Sequence, residues 1–134
     1  MGLFLILLAA GDSTRLKSKI PKPFHIVNDK TLLEHSFNAF KDLHKIKRTV
    51  IVYNKKHKKY LNKLNLKRTL KIIGGKTRQE STFLALKKIR KMNCKKVLIH
   101  DSARPNPSKN LINKIIYNLV NNHAVVPVIK INDA

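Results

Sequence analysis

An unbroken apolar run, Leu3 to Leu8, stands almost at the amino terminus and gives way at once to Ala9-Ala10-Gly11. Its length suits a strand. A strand apolar at every position must be covered on both faces, as the inner strands of parallel sheets are. The three small residues let backbone N–H groups come close to a ligand, and the peptide dipoles of such a turn favour an anion. Arg15 and Lys22 add full positive charge within reach of the same loop. The stretch therefore predicts a polyphosphate site at the carboxyl end of the first strand. It is not a Walker A loop, because no Gly-Lys-Ser/Thr follows. Nor is it the dinucleotide fingerprint, because Ser13 stands where the second glycine belongs. No cation precedes the run, which is also short for the core of a signal peptide, so a cytoplasmic chain is expected. No later segment has transmembrane length.

The 134 residues suit a single domain over 1–134, large enough to bury a core. Cys94 is the only cysteine, which excludes a disulfide framework and a cysteine-based metal site. Lys and Arg number 29 against 7 Asp and Glu, for a formal charge of +22. Such an excess attracts anions of every kind: nucleotides, nucleic acid or acidic membrane. The lysines are spread along the chain, however. Runs such as Lys55-Lys56-His57-Lys58-Lys59 lack the interleaved aromatics of a single-strand groove. A dedicated nucleic-acid module is thus the disfavoured reading.

Apolar spacing and capping signals predict alternating strands and helices. A helix is expected over 31–43, opened by Thr31 and Glu34 at capping-box spacing, with Leu33, Phe37 and Phe40 on one face. A β-branched strand covers 49–53, a helix 56–66 with Tyr60, Leu61 and Leu64 inward, and a short strand 70–73. The next helix spans 77–93, with Leu84, Leu86 and Ile89 inward, and a strand at 97–100 ends at Asp101. Asn106 is expected to cap a further helix with Pro107 at its first position, and 124–129 reads as the last strand. The fold class is therefore α/β: a Rossmann-like, three-layer arrangement with a mainly parallel sheet, whose ligands sit outside the strands' carboxyl ends.

Three polar clusters fall at those ends: 11–22, 74–81 and 100–104. Asp101 is one of seven acids and suits Mg²⁺, which takes one or two carboxylates and completes its octahedron with phosphates and water. Pairing with Arg104 is the alternative role. His100 is expected to orient its loop, and His25 and His35 to be structural or exposed. Gly74-Gly75-Lys76-Thr77-Arg78-Gln79-Glu80-Ser81 offers close backbone approach, with Ser81 as a partner for a base edge; a glycine turn before a capped helix would read the same way. No serine–histidine–acid set and no close acid pair is evident. What the clusters describe together is metal-assisted transfer at a nucleotide phosphate, in which positioning and charge neutralisation do most of the work.

Three ordered motifs carry a resemblance to the 2-C-methyl-D-erythritol 4-phosphate cytidylyltransferases. They are Leu8-Ala9-Ala10-Gly11 through Arg15 with Pro21-Lys22, Gly74-Gly75-x-x-Arg78-x-x-Ser81, and Val97-Leu98-Ile99-His100-Asp101-Ser102-Ala103-Arg104-Pro105. The resemblance implies a nucleotidyltransferase fold and, as substrates, CTP and a sugar-phosphate acceptor. The products would be 4-diphosphocytidyl-2-C-methylerythritol and pyrophosphate, and the complete enzyme would be a homodimer. It implies that Arg15 and Lys22 stabilise the transition state and that Ala9, Ala10, Gly11 and Ser13 form the triphosphate loop. Gly75 and Ser81 would read cytosine, Lys76 and Ser102 would lie by the ribose, and Asp101 would hold Mg²⁺. Ser13 replaces the family's second glycine, and Lys76 stands where an acid is common. Family chains run well beyond residue 134, so this chain is expected to be the nucleotide-binding front part. Ribitol-5-phosphate cytidylyltransferases share the motif types and are the nearest alternative in reaction class. A domain that binds CTP without turnover is the alternative in another class.

Overall fold

The computed structural model describes residues 2–12 and 19–132. Four parallel strands form its sheet in the order β5-β4-β1-β6, with β1 at Leu3–Ala9, β4 at Ile46–Tyr53, β5 at Thr69–Ile73 and β6 at Lys96–Asp101. A small antiparallel pair, β2 (Ile26–Val27) and β3 (Lys30–Thr31), lies outside it. The helices are α1 (Leu32–Phe40), α2 (Lys58–Leu61), α3 (Arg78–Ile89) and α4 (Lys109–Leu119).

The continuous apolar run is explained by its place between β4 and β6. Leu3, Leu5, Leu7 and Ala9 point to one side, where Leu33 and Phe40 of α1 and Ile112, Ile116 and Leu119 of α4 cover them. Phe4, Ile6 and Ala10 point to the other, against Val50, Val52 and the α3 residues Ala85 and Ile89. Each fully buried Leu or Ile contributes about 1.5–3 kcal/mol.

Local signals account for most helix ends. Thr31 and Glu34 form the capping box reciprocally: the Glu34 N–H donates to Thr31 Oγ1 at 3.1 Å and the Thr31 N–H donates to Glu34 at 2.9 Å. Four expectations are corrected. The helix expected over 56–66 is a 3₁₀ turn at Lys55–His57 followed by the short α2, although Tyr60, Leu61 and Leu64 do reach the core as read. So few apolar contacts do not sustain a longer helix. The α4 cap is Ser108, whose Oγ accepts from the Leu111 N–H at 3.0 Å, rather than Asn106. On α3 the inward stripe is Ser81, Ala85 and Ile89, spaced by four, while Leu86 is exposed. Positions 84 and 86 lie about 200° apart around a helix and cannot share one face. Finally, 124–129 is not a strand. No described strand pairs with it, and Val126, Val128 and Ile129 lie in solvent, while Val125 alone packs on the core. A backbone without a hydrogen-bonding neighbour does not hold the extended ladder.

Candidate active site

The carboxyl ends of the strands meet around a cavity of about 370 Å³. Its wall takes Ala9, Ala10, Gly11 and Lys22 from the first cluster, Gly75, Lys76, Thr77, Arg78 and Ser81 from the second, and Asp101, Ala103 and Arg104 from the third. Arg15 and Ser13 lie outside the described residues. A larger hollow of about 980 Å³ beside β6 and α4 shares Arg78, Asp101 and Arg104 with this cavity, and another of about 380 Å³ lies between α3 and α4; neither is lined by Ala9–Gly11 or by Gly74 and Gly75.

The second cluster comes from β5, which β4 separates from β1, so its turn must pass over the end of β4. The Gly74 N–H donates to the Tyr53 carbonyl at 2.8 Å, which lays the turn flat across that strand end. A Cβ at Gly74 would stand 2.6 Å from the Ala10 Cβ, 2.7 Å from Ser81 Oγ and 3.0 Å from Val52. Glycine is required here by close approach rather than by an unusual φ. Ser81, buried on the first turn of α3, accepts from the Gly75 N–H at 3.1 Å. Thr77 caps α3 through the Glu80 N–H at 3.0 Å, and the Glu80 carboxylate returns to the Lys76 N–H at 2.9 Å. The return half of the capping box has slid one residue toward the glycines, so the entire turn is cross-tied.

Lys22 opens a 3₁₀ turn between two prolines whose fixed φ stiffens it. Pro23 and Phe24 are buried, with Phe24 stacked on Tyr60 at 5.5 Å, so Lys22 is left on the cavity side of an anchored turn.

The third cluster is clamped from beneath. Ser102, fully buried, donates its hydroxyl to the Leu8 carbonyl at 2.6 Å. The Ser36 hydroxyl donates from α1 to the Ser102 and Arg104 carbonyls at 2.7 and 3.2 Å. His100 reaches the Arg104 carbonyl at 2.7 Å and packs on Phe40, the loop-orienting part expected of it. His25 and His35 likewise hold the Ile20 and Val27 carbonyls.

This frame presents Asp101 to the cavity with an arginine on either side. Arg78 Nε lies 3.1 Å from Oδ1 and Arg104 Nε lies 3.8 Å from Oδ2. Both arginines are exposed, so these pairs are weak and a dication can displace them. Among the described residues no three His, Cys, Asp or Glu side chains gather as a metal cage. A single carboxylate beside a phosphate pocket is nonetheless the donor set magnesium commonly accepts, and the site fits on that ground. The Asp101–Arg104 pairing weighed as the alternative is present, and Arg78 is the cation that sequence reasoning passed over. Arg78 sits in the second motif, and its position one residue after the helix cap was the available signal.

The comparisons with known proteins bear on the family and the fold. Residues 3–134 match the family model IspD: 2-C-methyl-D-erythritol 4-phosphate cytidylyltransferase. The bifunctional enzyme IspD/IspF of Pelagibacter ubique is 46% identical over 99% of this chain and 36% of its own length. The 2-C-methyl-D-erythritol 4-phosphate cytidylyltransferase of Wigglesworthia glossinidia brevipalpis is 40% identical over 85% of this chain and 50% of its own. The solved bifunctional IspDF of Campylobacter jejuni superposes with a TM-score of 0.76 at 33% identity, over 89% of this chain and 31% of that one. The chain thus spans from about a third to half of the relatives it matches.

Proposed function

Because the chain belongs to the 2-C-methyl-D-erythritol 4-phosphate cytidylyltransferase family, we propose that its cavity binds CTP and serves transfer of CMP to 2-C-methyl-D-erythritol 4-phosphate. The observation that carries the reading is the convergence of three separate strand-end turns on one cationic cavity. An oxygen of the acceptor phosphate attacks the α-phosphorus, and the bond from that phosphorus to the bridging oxygen breaks. Pyrophosphate leaves with the electron pair. A phosphate acceptor is already anionic near neutral pH, so the step needs no general base.

Lys22 and Arg15 neutralise charge that builds on the phosphoryl oxygens, where a fixed cation counts most. The Ala9–Gly11 backbone lies against the triphosphate. Gly75 and Ser81 meet the base, with Lys76 beside the sugar. Ser102 acts from below by tying the Asp101 loop to β1, since its hydroxyl already bonds Leu8. Asp101 is the protein ligand for magnesium, which when bound adds Lewis-acid neutralisation of the phosphates. A homodimer of the whole protein and a cytoplasmic setting belong to the same reading; no described helix is long and apolar enough to cross a membrane.

Calorimetry with CTP, UTP, GTP and ATP in magnesium tests the assignment. CTP should bind best, and Asp101→Ala should weaken it about tenfold or more, because a charge-assisted contact is lost. Equal affinity for all four nucleotides would overturn the cytidine assignment. An unchanged magnesium dependence in Asp101→Ala would remove Asp101 as the ligand.

A further inference from the structure

Asn54 is the first residue after β4 and faces the loop that leaves β1. Its Oδ1 accepts from the Lys56 N–H at 3.0 Å, which fixes the amide plane from its own side. Both hydrogens of Nδ2 then point across the sheet end, to Asp12 Oδ1 at 2.8 Å and to the Ala10 carbonyl at 3.3 Å. The two acceptors flank Gly11. An added Cβ at Gly11 would meet nothing within 4 Å among the described residues, so none of them packs against this peptide. Asp12 is moreover a carboxylate one residue from the cavity wall, yet it is not among the residues that line the cavity.

We infer that Asn54 is a positioning residue for nucleotide binding: its amide brackets Gly11 and holds the Asp12 carboxylate off the triphosphate. The inference rests on the proposed CTP site. A half-buried amide held at its oxygen and through both N–H groups has one orientation, and a hydrogen bond to a charged group is among the stronger ones. Released, Asp12 would turn a negative charge toward a polyanion.

The test is calorimetric titration of magnesium and CTP into this chain, with the thermal midpoint measured in parallel. Asn54→Ala should weaken binding about tenfold, as expected for one lost charge-assisted bond. Asn54→Asp, which keeps the acceptor for Lys56 and sets two carboxylates face to face, should weaken it further. Adding Asp12→Asn to Asn54→Asp restores the bond with its polarity reversed and the net charge unchanged, and should recover most of the affinity. Midpoints should stay close to that of the parent throughout. Parental affinity in both single variants would overturn the inference. So would a doubly exchanged chain that binds no better than Asn54→Asp, or losses of affinity that merely follow losses of stability. If Asn54→Ala does not fold, the Asn54→Asp pair decides alone. A parent chain that binds no CTP would instead refute the proposed function.

Discussion

The two glycine-bearing turns of the cavity are held in opposite ways. The Gly74–Ser81 turn is locked by volume: its first glycine touches Ala10 and Val52, its second lies against Glu80, and four hydrogen bonds tie it to itself and to β4. In the described part of the turn after β1, Ala10–Asp12, no described residue packs over Gly11, and Asn54 ties the residues on either side of it. On the far side its return through Lys22 depends on Phe24 wedged among His57 and Tyr60. A turn locked by packing resists change of shape.

Substitutions can break that contrast. The largest effect expected is for Gly74→Ala, which forces a methyl into Ala10, Val52 and Ser81 and should cost about 1–3 kcal/mol by denaturant unfolding. An unchanged midpoint would mean that the second turn is not locked.

A smaller effect concerns acid and the first turn. Burial lowers the His57 pKa below its ordinary value; Asp12 opposes this and Lys56 and Lys59 assist it. Its Nδ1 has no partner among the described residues. A histidine with a depressed folded pKa binds fewer protons folded than unfolded, so stability is full above about pH 6.5 and falls as the pH drops from there through the folded value. His57→Gln should flatten that part of the stability profile; a profile unaltered by the change would show that burial does not depress His57 in the folded chain.

The smallest effect is for Gly11→Ala, expected within about 0.5 kcal/mol of the parent, since the position is open and its φ is not positive. A loss comparable to that of Gly74→Ala would show that the first turn is packed after all.

Much of this was legible beforehand because it is local. The run from Leu3 to Leu8 announced a strand covered twice, Thr31 and Glu34 announced a helix start, and His100-Asp101 announced the carboxyl end of a strand. The misreadings share a cause. Segment 124–129 has strand composition, and 56–66 has helix composition, but neither finds the neighbours that would stabilise the longer element. Ser102 carries a family position in its sequence. Only the fold turns its hydroxyl inward to Leu8, 94 residues away.

Sequence alone determined the alternation of elements and the chemical character of each strand end, because apolar period and capping act over a few residues. Tertiary structure decided which ends meet. Sheet order sets β4 between β1 and β5, so the second cluster reaches the first only through the flat passage of Gly74 over a neighbouring strand. Contacts at and beside the cavity, Arg78 with Asp101 and Asn54 with Asp12, span 23 and 42 residues. No local period encodes such pairings, since they exist only once the strands have found their order.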